Sequence, residues 1–280
     1  MKGITAHCLV KNEARFVWYS VMSILSCVDK VLLWDTGSTD GTLLIIKELL
    51  KFDKENKISF TRVGSVSAQD FYKVRQGMLD ETKTDWFIVV DGDEIWWEDS
   101  VKKVVDKVNE GDDIESIVVP TINLVGDMYH YQEEAAGGYR LAGRSGHLNL
   151  RAVNRSIPGL RSEGVHGVWG WVDIDEKMIQ DRDPGNIVYI QAPYLHTTHL
   201  PRAAIKDEES NVPKRSKKLK YELGIPFPYD YYYPEVFFRP RPNNIPNIWE
   251  NMKLSYKVRA VLQTPLKKIK RRILPRRVGY

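Results

Sequence analysis

Cysteine is nearly absent. Cys8 and Cys27 are the only two in 280 residues, too few for a disulfide framework, and each lies in an apolar stretch where a thiol behaves as a small hydrophobe. A reducing compartment, the cytosol, is the expectation that follows. Long apolar runs are missing too. No stretch approaches the roughly 20 apolar residues of a membrane-spanning helix. The apolar run near the amino terminus is cut short by Lys11 and Glu13 before it reaches signal-peptide length, so neither export nor a membrane span is expected. The 19 glycines and 14 prolines follow no period and nothing repeats at solenoid spacing, which excludes collagen-like, low-complexity and repeat classes. An ordinary globular protein remains, and 42% hydrophobic residues can fill a substantial core.

Acidic residues are lacking in one region only. Residues 251–280 hold ten Lys or Arg and no Asp or Glu, a formal +10, which leaves 31 basic against 37 acidic residues in the remainder, a formal −6. A basic tail on an acidic body points to a polyanionic partner for the tail alone.

The first 95 residues alternate between strand and helix patterns. Ile4 to Val10, Val31 to Trp34 and Trp86 to Val90 are short apolar runs that end in polar or glycine-rich turns, as expected of parallel strands buried on both faces. Between them Val17, Val21, Ile24, Leu25 and Val28 recur at helical spacing, as do Leu43, Ile46 and Leu50 after a start signal at Thr39 and Asp40. Ile58 to Val63 reads as a strand and Gln69 to Glu81 as a helix. The result is a βαβαβαβ unit, which carries ligands at the carboxyl ends of its strands. Further on, Ser100 is placed to cap a short helix, and Ser116 to Leu124, Leu148 to Val153 and Ile187 to Tyr194 read as strands. Six prolines interleaved with seven Tyr or Phe between Gly224 and Trp249 exclude a regular helix there.

Chemistry gathers at three of these strand ends. Asp91-Gly92-Asp93-Glu94 sets three carboxylates within four residues at the end of a buried strand, where they repel unless a cation or a solvated turn relieves them. Mg²⁺ or Mn²⁺ is the economical cation, since both suit hard oxygen ligands and accompany phosphates. Asp35 ends the second strand and is followed by Gly37, Ser38 and a helix start with free amide donors, which fits either a ligand turn or a plain tight turn with a cap. Val10-Lys11-Asn12-Glu13 ends the first strand. The three loops are expected to border one crevice.

These residues resemble the family 2 glycosyltransferases with a GT-A fold. The likeness rests on VKNE (10–13), DTGSTDGT (35–42), the pair Arg75-Gln76 where Arg-Asn is usual, and DWFIVVDGDE (85–94), with weaker support from LRAV (150–153), EGVH (163–166) and YLH (194–196). It implies an α/β, Rossmann-like, mostly parallel sheet flanked by helices. Residues 1–95 would form the nucleotide-sugar-binding half and 96–224 the acceptor-side half of the same domain, with a Pro/aromatic wrap and basic amphipathic tail over 225–280. It also implies a hexosyltransferase-type enzyme that transfers a sugar from a UDP- or GDP-type donor to an acceptor hydroxyl with inversion. Val10, Lys11, Asn12, Glu13, Asp35, Gly37, Ser38, Arg75, Asp91 and Gly92 would hold the nucleotide-sugar. Asp91 and Asp93, with His196 or His199, would hold Mn²⁺ or Mg²⁺. Where relatives have Val-His-Glu this chain has Val165-His166-Gly167. Glu163 with His166 is therefore the first substitute for the catalytic base, ahead of Asp173 and Asp175. The missing glutamate keeps open a non-catalytic sugar-nucleotide-binding module, and a nucleotidyltransferase would share the acidic metal site.

In the tail, Leu254, Val258, Val261, Leu262, Leu266, Ile269 and Ile273 recur at helical spacing among basic residues, with Pro265 expected to kink or divide the helix. A basic amphipathic stretch suits an anionic leaflet better than nucleic acid, given a sugar-transferring body. The expectation is a cytoplasmic protein, peripheral at the inner face of the membrane, with a glycan or lipid-linked acceptor.

Overall fold

The computed structural model describes residues 2–111, 113–200 and 220–273. Four parallel strands form one half of the main sheet: β1 (Ile4–Val10), β2 (Lys30–Asp35), β3 (Ile58–Arg62) and β4 (Trp86–Val89), in the order β3-β2-β1-β4. Three helices connect them: α1 (Val17–Ile24), α2 (Thr42–Phe52) and α3 (Phe71–Glu81). The period-two alternation of the strands decides which face each helix covers. Ile4, Ala6, Cys8 and Val10 of β1 join Trp86 and Ile88 of β4 in the core under α1, α2 and α4 (Glu98–Glu110). Leu9 and Leu32 turn the other way, onto Phe71, Val74 and Met78 of α3.

After β4 the chain turns through Asp91-Gly92-Asp93 into β5 (Glu94–Trp96), and α4 leads to the long β6 (Ser116–Val125). Short strands follow: β7 (His130–Tyr131), β8 (Tyr139–Leu141) and β9 (Arg144–Gly146). β10 (Leu148–Asn154) runs antiparallel between β4 and β6, so β6 points the same way as β4. β11 (Arg161–Glu163) and β12 (Gly170–Val172) form a hairpin beside α3, and β13 (Ile187–Tyr189) pairs with β6. β14 (Tyr194–His199) lies parallel to β6 and antiparallel to β5, with His196 opposite Glu94. The acidic turn therefore sits where the chain leaves the main sheet for a second pairing surface.

Three expectations need correction. α4 begins at Glu98, and Ser100 lies inside it, because the Glu235 carboxylate accepts the Glu98 amide at 3.0 Å and does the capping from the wrapping segment. The run from Ile187 to Tyr194 is two elements, since β13 ends at Tyr189 and β14 starts at Tyr194. Of the two effects expected of Pro265, division does not occur: α5 (Leu254–Ile273) runs through it, with the Thr264 hydroxyl donating to the Ala260 carbonyl at 2.6 Å beside the missing proline N–H. The 225–250 segment is irregular, as the prolines require, apart from β15 (Ile225–Pro226) and one turn of 3₁₀ helix at Glu235–Phe237. Residues 274–280 of the basic tail, with Arg276 and Arg277, lie outside the described residues. Among the described residues no helix is long and apolar enough to cross a membrane.

The orientation of α5 inverts simple amphipathic logic. Its buried stripe is Tyr256, Ala260 and Thr264, and polar groups fasten it. The Tyr256 hydroxyl donates to the Lys220 carbonyl, Thr264 Oγ1 accepts the Leu223 amide at 3.0 Å, and Arg271 pairs with Glu222 at 2.6 Å and Glu133 at 2.9 Å. Leu262 is 70% exposed. Tyr256→Ala should therefore destabilise the protein by about 2–4 kcal/mol, while Leu262→Ala should stay within about 0.5 kcal/mol of wild type. Urea unfolding of the two variants checks this, and the reverse ranking would mean that the apolar face packs inward.

Candidate active site

The carboxyl ends of β2, β1 and β4 lie side by side, two strand spacings or about 10 Å across. Asp35 is fully buried, and its carboxylate accepts the Gly37 amide at 3.0 Å and the Ser38 amide at 3.1 Å. Gly37 adopts φ +86, and a side chain there would press on the Ser65 backbone at 2.9 Å. Ser38 Oγ accepts the Asn12 amide at 2.9 Å, and Asn12 Oδ1 accepts the Thr39 amide at 2.8 Å, so the first and second loops hold each other. Glu13 is buried, and its amide donates to Thr42 Oγ1 at 2.8 Å, while Lys11 is half-buried beside it. A Cβ on Gly92 would stand 2.7 Å from Val10 Cγ1 and 3.0 Å from Glu13 Cγ, so only glycine lets the acidic turn close against the first loop. Val10 to Glu13 therefore stand between the Asp35 turn and the acidic turn.

Repulsion in the acidic turn is relieved by two guanidinium groups, and an imidazole faces the third carboxylate. Arg75 of α3 donates from Nη2 to Asp91 Oδ1 at 2.6 Å. Arg75 is buried, and its Nε and Nη1 have no hydrogen-bond partner among the described residues; the faces of Trp169 and Phe71 lie 5.0 and 5.4 Å from the guanidinium carbon. Burial pushes the Asp91 carboxyl up, but Arg75 and Arg151 outweigh it and hold it below the usual carboxylate range. Arg151 of β10 lies 3.9 Å from Asp91, pairs with the fully buried Glu94, and donates to the Tyr194 hydroxyl at 3.0 Å. Burial dominates at Glu94, and with Asp91 and Asp93 nearby its pKa rises to about 7 despite Arg151.

The third partner is His196, whose Nε2 lies 3.5 Å from Asp93 Oδ2. A chain of contacts sets its tautomer. His147 Nε2 donates to the Glu133 carbonyl at 3.1 Å, which leaves His147 Nδ1 to accept Asn123 Nδ2 at 2.8 Å. Asn123 Oδ1 then accepts a hydrogen bond from His196 Nδ1–H at 3.2 Å, so the His196 Nε2 edge is the one turned toward Asp93. His147 is held below the usual histidine range by burial, which keeps it neutral and able to accept.

Not every expected residue joins this cluster. Among the described residues no group of three or more His, Cys, Asp or Glu side chains is arranged to hold a metal. Asp91 is committed to Arg75, and His199, buried opposite Val125, lies beyond a register irregularity from His196. The metal-competent donors are Asp93 and His196. A carboxylate and an imidazole suit Mn²⁺ or Mg²⁺ when phosphate oxygens and water complete the shell. His166 stacks on Phe71 at 4.0 Å, on the ring that also faces Arg75. Glu163 is exposed on β11 and pairs with Arg161 at 3.2 Å, beside Gln69 and Tyr72 rather than the acidic turn. Asp173 is buried in a structural pair with Arg182, and Asp175 is exposed. Asn123 escaped the sequence reading, and Arg151 and Tyr194 entered it only as members of the LRAV and YLH motifs, without a role. What was missing was the strand pairing that sets these three side chains beside Glu94 and His196.

Residues 8–168 match the model of the family described as glycosyl transferase family 2. No curated protein matches the chain. Among solved structures, S. aureus TarS is similar at a TM-score of 0.50 and 13% identity, covering 70% of this chain and 37% of its own. Glucosyl-3-phosphoglycerate synthase from Mycobacterium tuberculosis, in complex with Mn²⁺, UDP and glucosyl-3-phosphoglycerate, is similar at 0.45 and 14% identity, over 70% of this chain and 72% of that one. The chain thus spans little more than a third of TarS.

Because Glu94 stays protonated in the folded state up to about pH 7 and ionises from its ordinary 4.5 once unfolded, folding takes up a proton in that window. Wild-type stability should fall, relative to Glu94→Gln, by the order of 2–3 kcal/mol as pH rises from 4.5 to 7. Urea unfolding of both proteins across that range checks the sign. Parallel curves would mean that Glu94 is ionised throughout.

Proposed function

The chain belongs to glycosyl transferase family 2 and has a GT-A fold, and from that premise we propose that it transfers a sugar from a nucleoside diphosphate donor of the UDP or GDP type to an acceptor hydroxyl, with inversion and with a divalent ion. The observation that carries the reading is the double pairing in the acidic turn, Arg75 with Asp91 and His196 with Asp93, one strand away from the Val10–Glu13 turn and two from Asp35.

In this reading Asp35, Asn12 and the Gly37–Ser38 turn receive the nucleoside, and Arg75 offers its unspent Nε–H and Nη1–H donors to the diphosphate. Asp93 and His196 would hold Mn²⁺ or Mg²⁺, which when bound supplies Lewis-acid stabilisation of the charge that grows on the leaving diphosphate. Arg75 holds Asp91 ionised and in place, so the turn keeps its shape as that charge moves. The acceptor hydroxyl must lose its proton on the opposite face of the sugar. We assign that proton to the 163–166 segment. His166, one ring from Arg75, is better supported than Glu163, which faces Arg161. The acceptor is a glycan, lipid-linked or membrane-associated, since a basic C-terminal segment fits an anionic surface.

Purified protein incubated with UDP- and GDP-sugars and Mn²⁺ should release the nucleoside diphosphate, and Asp93→Ala should cut that release by about a hundredfold or more. Undiminished release by the variant would refute the role of Asp93. Pyrophosphate released from a nucleoside triphosphate would identify nucleotidyl transfer, and donor binding without turnover a binding module. Asn123→Ala, which unhooks His196 from its tautomer-setting chain, should weaken Mn²⁺ binding about tenfold. Titration calorimetry in the absence of turnover checks this.

A further inference from the structure

We propose that the outward face of α5 is an in-plane docking surface for an anionic lipid bilayer. The inference rests on the proposed reading only for why a membrane would be useful; its evidence is separate. Leu254, Val258, Leu262, Leu266, Ile269 and Ile273 are all exposed, with Leu262 at 70% and Leu266 at 68%. At about 100° per residue they fall within one continuous arc, directly opposite the stripe of Tyr256, Ala260 and Thr264 that seats the helix. Lys257 and Lys268 border the arc on one side, and Arg259 and Lys270 on the other. No Asp or Glu occurs anywhere in residues 251–280.

An apolar ridge of this width in water is costly unless something covers it. Charge selects the cover. A second copy of this chain would bring the same basic borders against each other, and a nucleic acid would neutralise the borders but leave the ridge wet. An anionic bilayer satisfies both, since apolar side chains sink into the acyl boundary while each bordering Lys or Arg gains about 1 kcal/mol near the surface.

The seating contacts also give the surface an orientation. Arg271 clamps Glu222 and Glu133. The Glu133 carbonyl starts the chain through His147 and Asn123 to His196. The docking face is thereby fixed to the β6–β14 side of the cleft, so a lipid-borne acceptor would be presented at that side.

Co-sedimentation with phosphatidylcholine vesicles, with and without phosphatidylglycerol, tests the assignment on the full chain. Wild type should pellet with the anionic vesicles and stay in solution with the neutral ones. The double variant Leu262→Asp, Leu266→Asp should bind the anionic vesicles at least about tenfold more weakly, with an unchanged melting temperature because both side chains face solvent. Lys257→Glu with Lys268→Glu should also weaken binding, and wild-type binding should fall with salt. Three results would overturn the proposal: no wild-type binding to anionic vesicles at low ionic strength, equal binding by the aspartate variant, or a lipid-free wild-type dimer that the variant abolishes. Thermal shift with UDP- and GDP-sugars and Mn²⁺ keeps the two readings apart. If wild type shows no donor shift, the transferase reading fails and the vesicle result stands; a shift retained by the aspartate variant shows that only the anchor was removed.

Discussion

Three carboxylates packed into four residues at the end of a buried strand constitute the constraint around which this molecule is arranged. Left alone, Asp91, Asp93 and Glu94 would repel one another and resist burial. Each instead meets a partner from a different element: the guanidinium of Arg75 from α3, that of Arg151 from β10 and the imidazole of His196 from β14. The antiparallel insertion of β10 next to β4, and the bridging of β14 between β5 and β6, are the topological means by which those partners arrive. The fold and the charge balance of the turn are one problem with one solution.

That solution divides the carboxylates by role. Asp91 is held ionised by Arg75 and is spent on shaping the turn. Glu94, with no exposed surface, is pushed toward protonation and tied to Arg151, so it behaves as a structural group behind the cleft. Asp93 is left with His196, whose tautomer is dictated from as far away as the Glu133 carbonyl. Glu133 is also where Arg271 of α5 takes hold. A helix whose outer face is apolar and basic is thus joined, through Glu133, to the side chains of β6 and β14 that face the acidic turn.

Much of this was legible before any coordinates. The parallel strands β1 to β4 were readable because strands buried on both faces are continuous apolar runs, and the motifs at residues 10–13, 35–42 and 91–94 fall at their carboxyl ends as the βα alternation requires. The fold class followed from the same alternation. Glu163 was the natural substitute for a missing base because it lies three residues before His166, yet β11 is a hairpin strand whose period-two alternation turns it outward to Arg161. The capping of α4 by Glu235, 137 residues away, left no local trace.

The sequence by itself determined the parallel half-sheet, the acidic turn and the glycine that lets it close, because each depends on residues near in the chain and on short-range sterics and polarity. Only the tertiary structure decided which cation meets which carboxylate, which histidine turns its Nε2 edge to Asp93, and which face of α5 is spent on the body. Those outcomes depend on strand register and on contacts between residues distant in sequence, where one step of register reverses the side on which every side chain stands.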